Sequence, residues 1–461
     1  MINQKQYPRW LYVVFPSVAM LLGWGLRGYI GGGPFGAMIP GAFVALSIAM
    51  LLNISVKATS VLVVFAAVGI GIGGEMTYGQ TLGFLRNPDT VWWGTLGTTV
   101  KGSVWGLLGG VILAMGFLYR KLSRQTILIA WLLMLAGMYL GFKLVNQPMV
   151  IYFSDPAKPR PESWTALLFG AITLLLYLKT KLTKSDYTLI SLLAIGGFVS
   201  GGLGFGLGGF WMVLGNQLPH DVIFNSWWKA MEFTFGMLLG AGLGLVVWLR
   251  RKDIEALQLD SSSEPFFQSG PLWKDFLAFF LLALLIFWAM PALFDPIVDH
   301  GYVQGKFVVP NGVDLAKMLG NYAFFGFLII AVLLYFPDVA WQLGITFTFC
   351  YAAIDFMQDA LPGADTNSPF TLYFLLILIM TATVSLLTAY FQRKESVIRN
   401  MFLLLVWACM VVAFLRFGFF EKPTEISGMS LLKLIIGKFF VHIVFLVSAI
   451  YISCIAVRKI K

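Results

Sequence analysis

Charged side chains are scarce in this chain of 461 residues: they make up 12% of the sequence, against 59% hydrophobic residues. Soluble domains carry roughly 25% charged residues. Apolar runs of about 18 to 25 residues recur along the whole chain, and each is long enough to cross a bilayer as a helix. The scarcity of charge excludes an ordinary soluble domain and predicts an all-α, polytopic integral membrane protein whose first partner is the lipid bilayer.

Cysteine and histidine are also rare, with three residues of each. Cys350, Cys409 and Cys454 each lie inside an apolar run, so they form no metal-binding spacing and no evident disulfide pair. The sequence contains no Walker A loop, dinucleotide fingerprint, GxSxG elbow or HExxH motif. We therefore expect no metal, no cofactor and no catalytic residue, and ATP-driven transport would require a partner protein.

The net charge of +10 could suggest nucleic acid as a partner. The cations, however, lie in short clusters between apolar runs, which is the pattern of membrane topology signals. No nucleic acid is therefore expected. Whether the chain forms an oligomer or binds another protein is left open.

The apolar runs predict about fourteen spans. Their limits are 11–28, 36–53, 58–78, 93–119, 125–144, 163–179, 187–210, 227–249, 275–293, 314–335, 339–357, 370–391, 400–417 and 431–456. The cation clusters fall mainly in the even-to-odd connections, such as RKLSR at 120–124 and KTKLTK at 179–184. The positive-inside rule then places both termini in the cytoplasm, with the protein in a bacterial-type inner membrane.

The first eight spans contain internal similarity. Gly73, Gly74 and the Trp92–Trp93 pair match Gly208, Gly209 and Trp227–Trp228 at a constant offset. Spans 1–4 and 5–8 are therefore predicted to form a parallel tandem repeat of four-helix units. The predicted organisation is a first membrane unit at 1–124, a second at 125–252, a cytoplasmic linker at 253–274 and a six-helix membrane subdomain at 275–461.

The stretch LLGWGLRGYIGGGPFGAMIPGAF, Leu21 to Phe43, combines glycine, proline and one cation, Arg27, at the outer end of span 1. Similar glycine-rich stretches of sequence recur at the outer ends of spans 3 and 7. Such stretches indicate either backbone breaks around a transporter binding site or close packing of helices. We expect breaks that open an outward-facing cavity.

Ionisable residues inside spans are costly and usually face the bundle interior with a partner. Glu75 and Lys101 are the pair expected in the first unit. Two tryptophans and two amides at the same depth could contact a polar ligand, although interfacial tryptophan is common. The candidate substrate-binding residues are Arg27, Glu75, Lys101, Lys143, Lys229, Glu232, Trp93, Trp228, Gln80 and Asn216.

These features favour a multi-pass transporter or permease for a small polar solute, with an anion as one option. Two alternatives stay open. One is an integral-membrane enzyme that acts on a lipid-linked or glycolipid substrate at the outer face, with Asp221, Asp295 and Asp299 as candidate acids. The other is a non-catalytic membrane subunit that anchors partners. The sequence does not identify the substrate, the coupling ion or the direction of transport.

Overall fold

The structure is a computed structural model. It describes residues 7–30, 33–76, 78–154, 162–218, 226–259, 271–284, 302–303, 306–307, 322–335, 372–394, 396–420, 430–431, 435, 437 and 439–458. Regular secondary structure in the described part is helical apart from one ladder of two-residue strands, in which β1 (Tyr302–Val303) pairs antiparallel with β2 (Lys306–Phe307). The expected all-α class is confirmed.

Fifteen α-helices are numbered here in chain order. Those of the first 259 residues are α1 (Arg9–Ile30), α2 (Gly33–Leu51), α3 (Val56–Gly73), α4 (Gly79–Phe84), α5 (Val91–Phe117), α6 (Arg124–Gly141), α7 (Trp164–Lys181), α8 (Lys184–Gln217), α9 (Trp227–Leu249) and α10 (Arg251–Leu259). The others are α11 (Leu272–Leu284), α12 (Tyr322–Tyr335), α13 (Leu372–Phe391), α14 (Val397–Phe420) and α15 (Phe440–Val457).

Eight helices in the described residues are long and apolar enough to cross a membrane. They are α1, α3, α5, α6 with the π-helical turn that follows it, α8, α9, the first 18 residues of α14, and α15. This is consistent with a membrane-embedded, multi-pass protein. The span expected at 339–357 lies outside the described residues, and the count of fourteen stays a prediction.

Six helices pack as a closed cycle of neighbours, which we call the six-helix ring. Its contacts run from α1 to α2, α3, α5, α8 and α9, and α9 closes the cycle on α1. The α6–α7 hairpin packs outside the ring against α5, and α14 and α15 pack against α1. The ring therefore encloses side chains contributed by helices far apart in sequence.

Close helix approach depends on glycine where α5 meets α8. Gly102 and Gly106 of α5 face Gly201 and Gly197 of α8, and a Cβ on any of the four would overlap the opposing backbone. Small residues four apart are a recognised interface for membrane helices, since they let backbones touch. The glycine-rich part of α8 is helical throughout, and α1 stays helical past Arg27 to Ile30. The glycines inside α1 and α8 therefore show no backbone break, because packing keeps them helical, whereas Gly31 and Gly32 of the same stretch lie outside the described residues.

The helix ends that carry the cation clusters meet at one end of the bundle, which we call the basic end. A cleft there is lined by residues from the start of α1, the α2–α3 turn, the start of α14 and the end of α15. A second, neighbouring cleft is lined by Lys57, Arg120 and Arg124. Tyr7 and Arg458 are the first and last described residues, and both line the first of these two clefts. The described chain therefore begins and ends at the basic end. Which side of a membrane this end faces stays a prediction.

The predicted repeat has partial counterparts in the packing. The α1–α2 and α3–α5 pairs of the first unit correspond to α6–α7 and α8–α9 of the second. The matched glycines Gly74 and Gly209 meet different partners, however: a Cβ on Gly74 would overlap the Pro34 backbone of α2, whereas one on Gly209 would meet the Leu85 side chain after α4. The tandem repeat and the four domain limits stay predictions.

The first prediction tests the arrangement of helix ends. In a variant that lacks the three native cysteines, single cysteines at Gln125 and Ser185, both exposed at the basic end, should be shielded from an impermeant thiol reagent in intact cells. Cysteines at the exposed positions Asp89 and Gln217 should be labelled. Labelling in the reverse pattern would contradict the expected orientation, and a mixed pattern would contradict the common basic end.

The second prediction tests the glycine contact. Gly106→Ala should lower the thermal unfolding midpoint in detergent, because its Cβ would meet the Gly197 backbone, and overpacking costs about 1–3 kcal/mol. The matched control is Gly83→Ala on α4, where a Cβ would have no atom within 4 Å. The control should be neutral or stabilising by up to about 1 kcal/mol. Equal midpoints for the two variants would contradict tight α5–α8 packing.

Candidate functional site

Arg27 lies in an aromatic cluster inside the six-helix ring. It is in the last turn of α1, and only 2% of its surface is exposed. Its guanidinium carbon is 5.2 Å from the ring centroid of Trp105, 5.6 Å from that of Tyr78 and 6.0 Å from that of Trp24. Trp24 and Arg27 share a helix face because residues three apart are neighbours on a helix. The cation is therefore surrounded by π faces from three chain segments.

The polar partners of Arg27 are few. One terminal nitrogen, Nη1, donates to the Tyr78 hydroxyl, and Nη2 donates to the Gly33 carbonyl oxygen at 3.4 Å. The buried Nε has no acceptor among the described residues, and none of their carboxylates forms an ion pair with this guanidinium. A guanidinium has five N–H donors. Arg27 thus retains hydrogen-bonding capacity for a further acceptor.

The aromatic cluster continues across the ring interior. The Trp24 ring lies 4.4 Å from that of Phe235 on α9 and 5.1 Å from that of Trp105 on α5. The Trp105 indole nitrogen donates to the Ile70 carbonyl oxygen of α3 at 2.8 Å. Edge-to-face ring pairs and this hydrogen bond hold the indoles in one orientation. Arg27 therefore contacts a rigid wall rather than adaptable side chains.

Glu232 forms the second buried charged group. Its carboxylate accepts hydrogen bonds from Lys229 Nζ at 2.6 Å and from the Trp228 indole nitrogen at 2.9 Å. Lys229 Nζ also donates to the Gly25 carbonyl oxygen at 3.3 Å. A Cβ on Gly28 would overlap the Glu232 carboxylate. The glycines beside Arg27 therefore let α9 place an ion pair directly against α1.

Tyr78 connects Arg27 to this ion pair. Its hydroxyl accepts from Arg27, and its ring lies 6.0 Å from the Trp228 ring. The Tyr29 ring centroid lies 5.8 Å from Lys229 Nζ, and the Tyr29 hydroxyl is 3.0 Å from His442 Nε2 of α15. The structure thus brings Arg27, Trp228, Lys229 and Glu232 together, four of the ten candidate residues.

Lys101 is fully buried in a separate ion pair. Its Nζ is 2.8 Å from Glu162 Oε1, and both side chains have 0% exposure. Nζ also donates to the Thr81 hydroxyl at 2.7 Å. Glu162 accepts further bonds from the Ser154 hydroxyl at 2.8 Å and from the Phe153 amide at 3.1 Å. The structure thus gives Lys101 a carboxylate partner in Glu162, and the expected pairing with Glu75 stays a prediction.

The remaining candidates lie around these groups. Glu75 follows α3 and is half-buried, with its backbone oxygen accepting from Ser163 at 2.8 Å. Trp93 is 41% exposed and donates to the Tyr152 carbonyl oxygen at 3.2 Å. Lys143 is half-buried outside the ring, 5.9 Å from the Tyr139 ring centroid. Gln80 is half-buried on α4, and Asn216 is exposed and donates to the Arg86 carbonyl oxygen at 2.6 Å.

Sequence reasoning missed Trp24, Tyr78, Trp105 and Glu162. Trp24 could have been found, because it lies one turn before Arg27 on α1. Trp105 could also have been found, one turn after Lys101 on α5. Nothing local identifies Glu162, which meets Lys101 across 61 positions. The acids of the enzyme alternative, Asp221, Asp295 and Asp299, lie outside the described residues.

The third prediction is a double-mutant cycle on the buried ion pair. Lys101→Met should destabilise the protein by about 3–5 kcal/mol, because it leaves the Glu162 carboxylate buried without its cation. The double variant with Glu162→Gln should recover much of that loss. Thermal unfolding in detergent measures both effects.

The matched control is the pair between Lys121 and Asp186, also 2.8 Å long, in which the lysine side chain is 45% exposed. Lys121→Met should cost only about 0–1 kcal/mol, since water screens an exposed pair. A Lys101→Met variant as stable as the Lys121→Met variant would contradict the buried pair.

Comparison of the chain with protein-family models, with curated proteins and with solved structures finds no match. An inference about function must therefore come from the chemistry of the site itself. The central feature of that chemistry is the contrast between Arg27, which lacks a described carboxylate partner, and Lys101 and Lys229, which each have one.

Proposed function

We propose that the protein is a multi-pass membrane transporter or permease for a small polar solute, and that Arg27 binds the solute through a negative charge or an electron-rich oxygen. One observation carries this proposal. Arg27 is 2% exposed, and its buried Nε lacks an acceptor within the described part of the chain. The proposed location is the cytoplasmic membrane of a bacterial-type cell, with both termini in the cytoplasm.

The energetics favour a ligand at Arg27. An isolated charge buried in a membrane protein costs several kcal/mol. Each aromatic face returns about 0.5–2 kcal/mol, and the negative end of the α1 dipole returns about 0.3–1 kcal/mol. These terms offset part of the cost and leave N–H donors without acceptors. An oxyanion would satisfy those donors and neutralise the charge in one step.

The planar shape of the Arg27 guanidinium favours an oxyanion over a halide as the ligand. Nε and one terminal nitrogen of a guanidinium form a planar fork that matches two oxygens of a carboxylate, sulfate or phosphate. Nη1 donates to Tyr78 and Nη2 donates to the Gly33 carbonyl oxygen. Nε and the second N–H of Nη2 would then form the fork that binds the ligand. The Lys229–Glu232 pair nearby is internally neutral, so it does not compete for an anion.

The fourth prediction tests solute binding at Arg27. In proteoliposomes that contain the purified chain, influx of sulfate, phosphate and succinate should be compared with that of a neutral sugar. At least one anion should enter, and Arg27→Gln should reduce its influx by about tenfold or more, equivalent to about 1.4 kcal/mol. Arg27→Lys should retain only part of the flux, because an ammonium lacks the planar fork.

The matched control is Arg86→Gln, which makes the same substitution at an exposed arginine that follows α4. Its influx should stay within about twofold of wild type. Equal fluxes in wild type and Arg27→Gln, with both proteins folded, would overturn the role of Arg27. Product formation from a lipid-linked substrate in detergent would favour the enzyme alternative, and activity only with co-purified proteins would favour an accessory subunit.

A further inference from the structure

The cleft at the basic end has a volume of about 630 Å³. It lies between four chain segments: the start of α1, the α2–α3 turn, the start of α14 and the end of α15. Its size falls in the range of about 300–1,000 Å³ that is typical of small-molecule sites. It is distant from Arg27, because the 16 residues from Leu11 to Arg27 rise about 24 Å along α1.

The described residues that line the cleft carry charge of one sign only. Four cations line it, namely Arg393, Lys394, Arg399 and Arg458, and no acidic residue is among its described lining residues. Two long helices also begin there, α3 at Val56 and α14 at Val397. Helix amino ends carry partial positive charge and unpaired N–H groups. The cleft therefore suits a phosphate group.

The walls of the cleft are apolar. Leu11, Phe15 and Ile54 contribute side chains of the hydrophobic core, and Ile455 of α15 lies opposite among the lining residues. Free phosphate would contact the cations but would leave the apolar walls without an apolar partner. A molecule with a phosphate and a hydrocarbon portion would satisfy both. This combination selects an amphiphile over a free ion.

We propose that this cleft binds the headgroup and upper acyl chains of an anionic phospholipid. Basic pockets between helices at the cytoplasmic side of membrane proteins are suited to anionic headgroups. The positive-inside rule assigns the basic end to that side, where the negative lipids of the leaflet would be within reach. The proposal is independent of the transport function and of Arg27.

The test uses the full chain in detergent, with phosphatidylglycerol as the anionic lipid and phosphatidylcholine as the zwitterionic one. Native mass spectrometry counts bound lipid, and a titration gives the dissociation constant. The wild type should bind phosphatidylglycerol in preference to phosphatidylcholine. The triple variant Arg393→Gln, Arg399→Gln, Arg458→Gln should bind it about tenfold more weakly, a loss of about 1.4 kcal/mol.

The matched control removes three cations elsewhere, by Lys179→Gln, Lys181→Gln and Lys184→Gln, at exposed positions of α7 and α8. Its affinity should equal that of the wild type. The single variant Arg458→Gln changes an exposed residue after α15. Its affinity for phosphatidylglycerol should fall by about threefold. This variant replaces the triple variant in the test if the triple variant does not fold.

Three outcomes would overturn the proposal. The first is wild-type affinity for phosphatidylglycerol in both folded cleft variants. The second is an equal loss in the cleft and control triple variants, which would indicate general charge attraction. The third is full displacement of phosphatidylglycerol by millimolar inorganic phosphate, which would identify a free-anion site.

Discussion

The cost of burying charge in an apolar bundle governs this structure. Lys101 and Glu232 are 0% and 1% exposed, and each is surrounded by the groups that its charge requires. Lys101 has a carboxylate and a hydroxyl, whereas Glu232 has an ammonium and an indole N–H. Because water cannot solvate these groups, the chain must supply their partners itself. Glu162 meets Lys101 across 61 positions, whereas the partners of Glu232 lie three and four residues before it on α9. The fold of the loop around Phe153, which donates to Glu162, follows from this requirement.

Glycine makes that arrangement sterically feasible. Gly28 leaves the space that the Glu232 carboxylate occupies beside α1, and Gly102 and Gly106 let α5 lie against the α8 backbone. The absence of side chains at these contacts brings helices together while the aromatic rings fill the interior of the ring. The glycine-rich stretch around Arg27 therefore serves close packing, and the cation belongs to the packed interior rather than to a broken helix.

The sequence was sufficient to predict the class of the protein and most of the span limits in the first half of the chain. The spans expected at 93–119 and 227–249 correspond to α5 (Val91–Phe117) and α9 (Trp227–Leu249), because long apolar runs bounded by loops leave little freedom. It was also sufficient to place Lys101 in the interior with a carboxylate. The identity of that carboxylate depends on tertiary packing: Glu162 is 61 positions away, whereas Glu75 was the nearer choice along the chain.

The glycine stretches show a second limit of sequence reasoning. Glycine lowers helix propensity in isolation, so a break and a tight contact have the same local signature. Only the partner helix distinguishes them, and for α8 that partner is α5.

The contrast between Arg27 and the lysines Lys101 and Lys229 is the strongest argument about function. Lys101 and Lys229 have carboxylates at 2.8 and 2.6 Å, so burial of each is compensated within the protein. Arg27 has π faces and two hydrogen bonds, but no carboxylate from the described residues. A purely structural role would favour a built-in counter-ion at this position too, as at the other two. We therefore propose that this cation, held among aromatic rings without a described carboxylate, binds an anion that arrives and leaves, since a permanent carboxylate would occupy the same donors.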